Sequence, residues 1–203
     1  MDHNNILAVV LAGGKSRRFG RDKSQVKLGD KILIDYILSE ILDFYNDILI
    51  VANEPIKFLD SNKITLIEDI RKGLGPLGGV FSAMKWVRDN KKDYEWVSTF
   101  PVDTPFFKKD HLSKFYKEID LNKSKLFFMK SKNTRHNIFG LWSLELFEKL
   151  ESALNSGDRK VELWANEIGV KTIDFEHENN KDPFYNINTI EELETAKKLL
   201  MND

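Results

Sequence analysis

The chain has 203 residues, 41% of them hydrophobic and 31% charged, and a formal net charge of −1. That balance fits an ordinary globule, excludes a disordered chain, and argues against a dedicated nucleic-acid surface, which carries a large basic excess. The absence of cysteine excludes disulfides, thiolate metal sites and cysteine nucleophiles. The N-terminus has no basic n-region, and no apolar stretch approaches the roughly 20 residues that span a bilayer. A cytoplasmic protein with no membrane partner is expected. In chain order, Ile6 to Leu11 is a short continuous apolar run ended by Gly13-Gly14, the pattern of a strand buried on both faces. Ile34, Ile37, Leu38, Ile41 and Leu42 recur at helical spacing between Ile32 and Phe44. Ile48–Val51, Ile64–Ile67 and Trp96–Phe100 read as further strands, the last ended by Pro101. A helix is expected over Val80–Val87, opened by the glycines at 78 and 79, and another over Leu112–Ile119. Leu126–Met129, Ile138–Trp142 and Val170–Phe175 read as strands, and Leu144–Leu154 and Val161–Ile168 as helices. A last helix runs from Thr189 to Met201, with Thr189 as N-cap and Glu192 at capping-box spacing.

Strands that alternate with helices predict a three-layer α/β/α domain, Rossmann-like, with a mostly parallel sheet, spanning residues 1–203. Ligands of such folds bind beyond the carboxyl ends of the strands. The unusual residues fall there. The first strand runs into Leu11-Ala12-Gly13-Gly14, and Lys15, Arg17, Arg18, Arg21 and Lys23 follow within nine residues. Glycines let backbone amides approach a phosphate, and successive amides form an anion-binding concavity. That density of cations fits a triphosphate. A P-loop is excluded, because its first glycine would stand at position 9, which is Val9. The dinucleotide fingerprint is excluded because the glycines are adjacent. Considered alone, Gly-Gly would be a flexible turn beside a solvated basic face; its place directly behind an apolar strand favours phosphate binding.

Four more segments share that placement. Asn53 directly follows the second strand, and Glu68-Asp69 the third, with Gly75-Pro76-Leu77-Gly78-Gly79 shortly after. Pro101-Val102-Asp103-Thr104-Pro105 follows the fourth, two prolines stiffening the backbone around one carboxylate. Tyr185-Asn186-Ile187-Asn188-Thr189 precedes the last helix; Asn186 and Asn188 alternate, so both side chains can face one ligand. Each segment also has a plainer reading, as a turn or a helix start.

Leu-Ala-Gly-Gly-x-Ser-x-Arg-Phe-Gly-x-Asp-Lys resembles the first motif of the Rossmann-like nucleotidyltransferases, and the Asp22-Lys23 ending resembles the molybdenum cofactor guanylyltransferases. That family usually carries Met where Phe19 stands, and Pro where Asn137 follows Arg135-His136. The matching segments run in the family's order from position 7 to about 193. The resemblance implies transfer of GMP from GTP to molybdopterin with release of pyrophosphate. It implies that Leu11, Ala12, Gly13, Gly14 and Lys23 bind the phosphates, and Asn53 and Asp69 the nucleoside. Asp103 is then the Mg²⁺ ligand, and Asn186 and Asn188 belong to the same ligand site. Lys23 and Arg17 are the expected stabilisers of developing charge. His136 is left between a pterin contact and a strand cap; His3, His111 and His177 stand in polar contexts. A GTP-binding adaptor and acceptor molybdoenzymes are further partners about which the sequence is silent. The alternatives are a molybdopterin cytidylyltransferase, a transferase for a sugar phosphate or phospholactate, and a non-catalytic nucleotide-binding module.

Overall fold

A computed structural model describes residues 3–13, 22–175 and 182–201. A seven-stranded sheet dominates it, in the order β5-β4-β1-β6-β8-β7-β9. Here β1 is Ile6–Leu11, β4 Ile48–Ala52, β5 Ile64–Glu68, β6 Trp96–Pro101, β7 Leu126–Ser131, β8 Thr134–Ser143 and β9 Lys171–Phe175. The pairings β4–β5, β1–β4, β1–β6 and β7–β9 are parallel. β8 runs antiparallel to both its neighbours, β6 and β7. A mostly parallel sheet was expected, and the reversal of β8 is the one departure from it.

The period of two along β1 divides the core. Ile6, Ala8 and Val10 face one cluster with Ile34, Ile37, Leu38 and Ile41 of α1 (Leu33–Ile41) and Leu112 and Phe115 of α3 (Lys109–Glu118). Leu7 and Val9 face the other, with Leu77, Val80 and Met84 of α2 (Pro76–Asp89), Leu150 of α4 (Phe147–Asn155) and Trp164 of α5 (Val161–Ile168). A strand covered on both faces must be apolar throughout, which is why β1 and β4 read as unbroken apolar runs. The third cluster joins α6 (Ile190–Met201) to a small hairpin, β2 (Lys27–Leu28) and β3 (Lys31–Ile32), through Val26, Leu28, Leu33, Ile187, Leu193 and Ala196. Two-residue strands are too short to show a period, and the hairpin leaves no trace in the hydropathy pattern.

Several boundaries differ from the expectation, three of them in ways that bear on packing. Helix α2 starts at Pro76, not after the glycines, because proline is suited to the first helical position. Gly78 and Gly79 therefore lie inside its first turns. A Cβ on Gly78 would stand 2.8 Å from Arg71 O, and one on Gly79 2.9 Å from Leu11 Cδ2. β8 begins at Thr134, because Lys132 and Asn133 form a two-residue hairpin turn with φ of +45° and +64°. The expected helix from Leu144 begins as one 3₁₀ turn over Leu144–Leu146, and α4 proper starts at Phe147.

Candidate functional site

The register of the sheet lines up the segments singled out by sequence. Leu11 pairs with Val51 on one side and Pro101 on the other, and Ala52 pairs with Glu68. Ala12-Gly13, Asn53, Asp69 and Asp103 thus all leave the same edge of the sheet, one or two residues beyond the last paired position. Crossovers from β1 proceed outward through β4 and β5; the chain then returns to the other side of β1 as β6. The reversal of strand order places a crevice between the ends of β1 and β6, where such sheets bind their ligands. Gly13 and Asp103 flank that crevice. On its far side Gly13 approaches Asn53, whose carboxamide would lie 3.6 Å from a Cβ built on the glycine. Ala12 N donates to Val51 O at 2.9 Å and continues the β1–β4 ladder.

Asp103 and Lys23, 80 positions apart, form an ion pair with side chains only 13% (Lys23) and 17% (Asp103) exposed. The lysine sits in a 3₁₀ turn, Lys23–Gln25, capped by Asp22, whose Oδ1 accepts from Ser24 N and Ser24 Oγ, each at 2.8 Å. Lys23 Nζ also donates to Asn188 Oδ1 at 2.8 Å. With its amide nitrogen toward the carboxylate, Asn186 donates to both oxygens of Asp103, 2.8 Å to Oδ2. Between the two asparagines, Ile187 N donates to Asp103 O at 3.0 Å. Two segments distant in sequence therefore converge on Asp103. Thr189 and Glu192 exchange bonds across the start of α6, 3.2 Å to the Thr189 hydroxyl and 2.9 Å back to the glutamate, so the expected capping box anchors this segment.

Asp69 is built differently. It is 6% exposed, and its Oδ1 accepts from Arg71 N at 2.9 Å and from Ser82 Oγ at 2.8 Å. Ser82 in turn accepts from Ile70 N at 3.1 Å. A hollow of about 670 Å³ opens beside it, lined by Glu68, Asp69, Ile70, Arg71, Lys72 and Leu74. Ser82 escaped the sequence reading; its only signal was one hydroxyl among apolar residues on the buried face of α2.

His136 stands inside β8 rather than at its cap. Its Nε2 is 2.7 Å from Ser131 Oγ and its ring stacks on Phe184 with centroids 4.0 Å apart. His111 keeps a polar contact, its Nδ1 accepting from Lys108 N at 3.0 Å, while its half-buried ring packs against Phe107, Phe175 and Phe184. Gly14, Arg17 and the neighbouring cations Lys15, Arg18 and Arg21, with His177, lie outside the described residues. Among the described residues no group of three or more His, Asp or Glu could hold a metal ion, and no helix is long and apolar enough to cross a membrane.

A doubly wound sheet with Asp103 at its switch point, paired with Lys23, defines a Rossmann-like α/β protein of the nucleotidyltransferase class. The comparisons sharpen this: residues 8–168 match the MobA-like NTP transferase domain, and the chain belongs to that family of nucleotidyltransferases. The molybdenum cofactor guanylyltransferase of Rhizobium rhizogenes is 32% identical, the alignment covering 98% of this chain and 94% of the relative. That of Nitrobacter hamburgensis is 29% identical over 96% and 94%. Among solved structures, the molybdopterin-guanine dinucleotide biosynthesis protein A of Archaeoglobus fulgidus aligns with a TM-score of 0.76 at 23% identity, covering 97% of this chain and all (100%) of that one. That likeness is one of fold.

Proposed function

We propose that this chain, as one nucleotidyltransferase domain over residues 1–203, transfers GMP from GTP to molybdopterin. The observation that carries the reading is the Lys23–Asp103 pair, which brings the lysine at the end of the basic segment onto the carboxylate that follows β6. The relatives named molybdenum cofactor guanylyltransferase, aligned over almost all of this chain, support the choice of substrates. In this reading the triphosphate lies along the backbone of Leu11, Ala12, Gly13 and Gly14. Asn53 and Asp69 hold the nucleoside on the β4–β5 side. A terminal phosphate oxygen of molybdopterin attacks the α-phosphorus; the α–β phosphoanhydride bond breaks, and pyrophosphate leaves with the electron pair. The nucleophile is already anionic, so no side chain has to remove a proton. What the protein supplies is position and charge: Lys23 and Arg17 meet the charge that builds on the phosphates.

A divalent cation, Mg²⁺ in our reading, fits the residues present. Such a site is usually held by only one or two carboxylates together with substrate phosphates. Asp103 meets that demand without a carboxylate cluster, and it already accepts a cation, the Lys23 ammonium. When bound there, the metal would neutralise phosphate charge as a Lewis acid. Asn186 and Asn188 are exposed beside Asp103 and face the same ligand. Reaction in the cytoplasm accords with the absence of a spanning helix among the described residues. Incubation with α-labelled GTP, Mg²⁺ and molybdopterin tests the reading. Labelled GMP–pterin should form from GTP and not from CTP or ATP. Product from CTP alone would make the chain a cytidylyltransferase, and no product from any nucleotide would overturn the assignment.

A further inference from the structure

Lys23 and Asp103 compete with the ligands that each is expected to bind. The ammonium is paired with the carboxylate that a metal ion would need, and both side chains are largely withdrawn from water. Neither partner is a loose surface group. Lys23 is held by the turn that Asp22 caps and by the Asn188 carboxamide oxygen at 2.8 Å. Asp103 is held by Asn186 and, through its carbonyl, by Ile187 N at 3.0 Å. We propose that Lys23 is a built-in placeholder for the divalent cation: it keeps free metal off Asp103 until a nucleoside triphosphate draws the ammonium onto its phosphates. This rests on the reading of Asp103 as the metal carboxylate.

The exchange is driven by charge. A divalent cation entering beside a fixed ammonium meets repulsion that water screens poorly at so sheltered a site. A triphosphate offers the ammonium several anionic oxygens, and charge-assisted bonds to them replace the one to Asp103. The carboxylate then faces a metal that arrives with the phosphates. Metal and nucleotide thereby raise each other's affinity by one and the same factor. If the pair is closed about nine-tenths of the time, the apparent metal affinity of the free protein falls about tenfold.

The test is a Mn²⁺ titration of the full chain, with free Mn²⁺ followed by electron paramagnetic resonance. Without nucleotide, Lys23→Met and Lys23→Gln should each bind Mn²⁺ about tenfold tighter than the wild type. Saturating α,β-methylene GTP should tighten Mn²⁺ binding by a larger factor in the wild type than in either variant. Far-UV circular dichroism establishes that each variant is folded, and either one suffices for the comparison. Equal Mn²⁺ affinity in wild type and variants without nucleotide would overturn the placeholder. Asp103→Asn separates the two readings. If it keeps wild-type Mn²⁺ affinity in the nucleotide complex, the metal assignment itself falls. If it loses Mn²⁺ while the Lys23 variants match the wild type, only the exchange falls.

Discussion

Asp69 and Asp103 both follow parallel strands at the same edge of the sheet, and their surroundings could hardly differ more. Asp69 is bonded to its own neighbourhood, the Arg71 amide and the Ser82 hydroxyl, and is almost wholly buried. Asp103 is bonded to Lys23, Asn186 and the Ile187 amide, all at least 80 positions away in sequence. Local bonds make a rigid wall that is preformed with its loop. Long-range bonds make a junction whose partners can be exchanged for ligand groups. Binding of the nucleoside accordingly suits the first, and chemistry at the phosphates suits the second.

That contrast can be broken by mutation. Asp103→Ala should lower turnover by about 10³-fold while far-UV circular dichroism stays unchanged; a near-normal rate would place the chemistry elsewhere. Lys23→Ala should lower kcat by about 10²-fold, the usual cost of one preorganised charge, and an unchanged rate would reduce the lysine to a structural tie. Asp69→Ala should act chiefly on KM for the nucleotide. It should also lower stability by about 1–3 kcal/mol in urea unfolding, because it strips the partner from the Arg71 amide and leaves the Ser82 hydroxyl only the Gly78 carbonyl as acceptor. A loss confined to kcat would erase the distinction between the two aspartates. Next come the glycines behind the Asp69 wall. Gly78→Ala sets a Cβ against a backbone carbonyl at 2.8 Å and should cost about 1–3 kcal/mol. Gly79→Ala meets only the tip of Leu11, and the gain in helix propensity should keep it within about 1 kcal/mol of wild type.

The mildest effect lies away from both aspartates. Burial raises the Tyr116 hydroxyl to about 12 and the buried Tyr45 well above its ordinary value of 10.0. The folded chain then holds protons that the unfolded chain has released. The contribution of these tyrosines is whole below pH 10 or so and declines as pH rises through about 12. Phenolate absorbance should show Tyr45 and Tyr116 titrating late with the onset of unfolding, alongside Tyr36 and Tyr94, which burial also raises; five tyrosines that titrate normally would contradict the burial.

Much of the scaffold was legible in the sequence, for identifiable reasons. β1 and β4 are covered on both faces, so their apolar runs stand out. Thr189 and Glu192 announced their cap by spacing alone, and Ala12, Gly13, Asn53, Asp69 and Asp103 leave the same edge of the sheet. Other features were hidden. The first half of β8, Thr134 to Asn137, is polar, and its strand character comes from pairing with β7 across a two-residue turn. Gly78 and Gly79 looked like a loop because the close approach of Leu11 and Arg71 cannot be seen before folding. The Lys23–Asp103–Asn188 junction joins residues up to 165 positions apart, and no local pattern encodes it. His111 looked polar, and it does accept from Lys108 N, but the aromatic rings around it in space left no mark on the sequence.

The most direct test is a crystal structure of the full chain with α,β-methylene GTP and Mn²⁺. The account predicts an anomalous Mn²⁺ peak on the Asp103 carboxylate, Lys23 Nζ moved onto phosphate oxygens, and guanosine beside Asn53 and Asp69. Nucleotide bound elsewhere, or a manganese peak out of reach of Asp103, would contradict it.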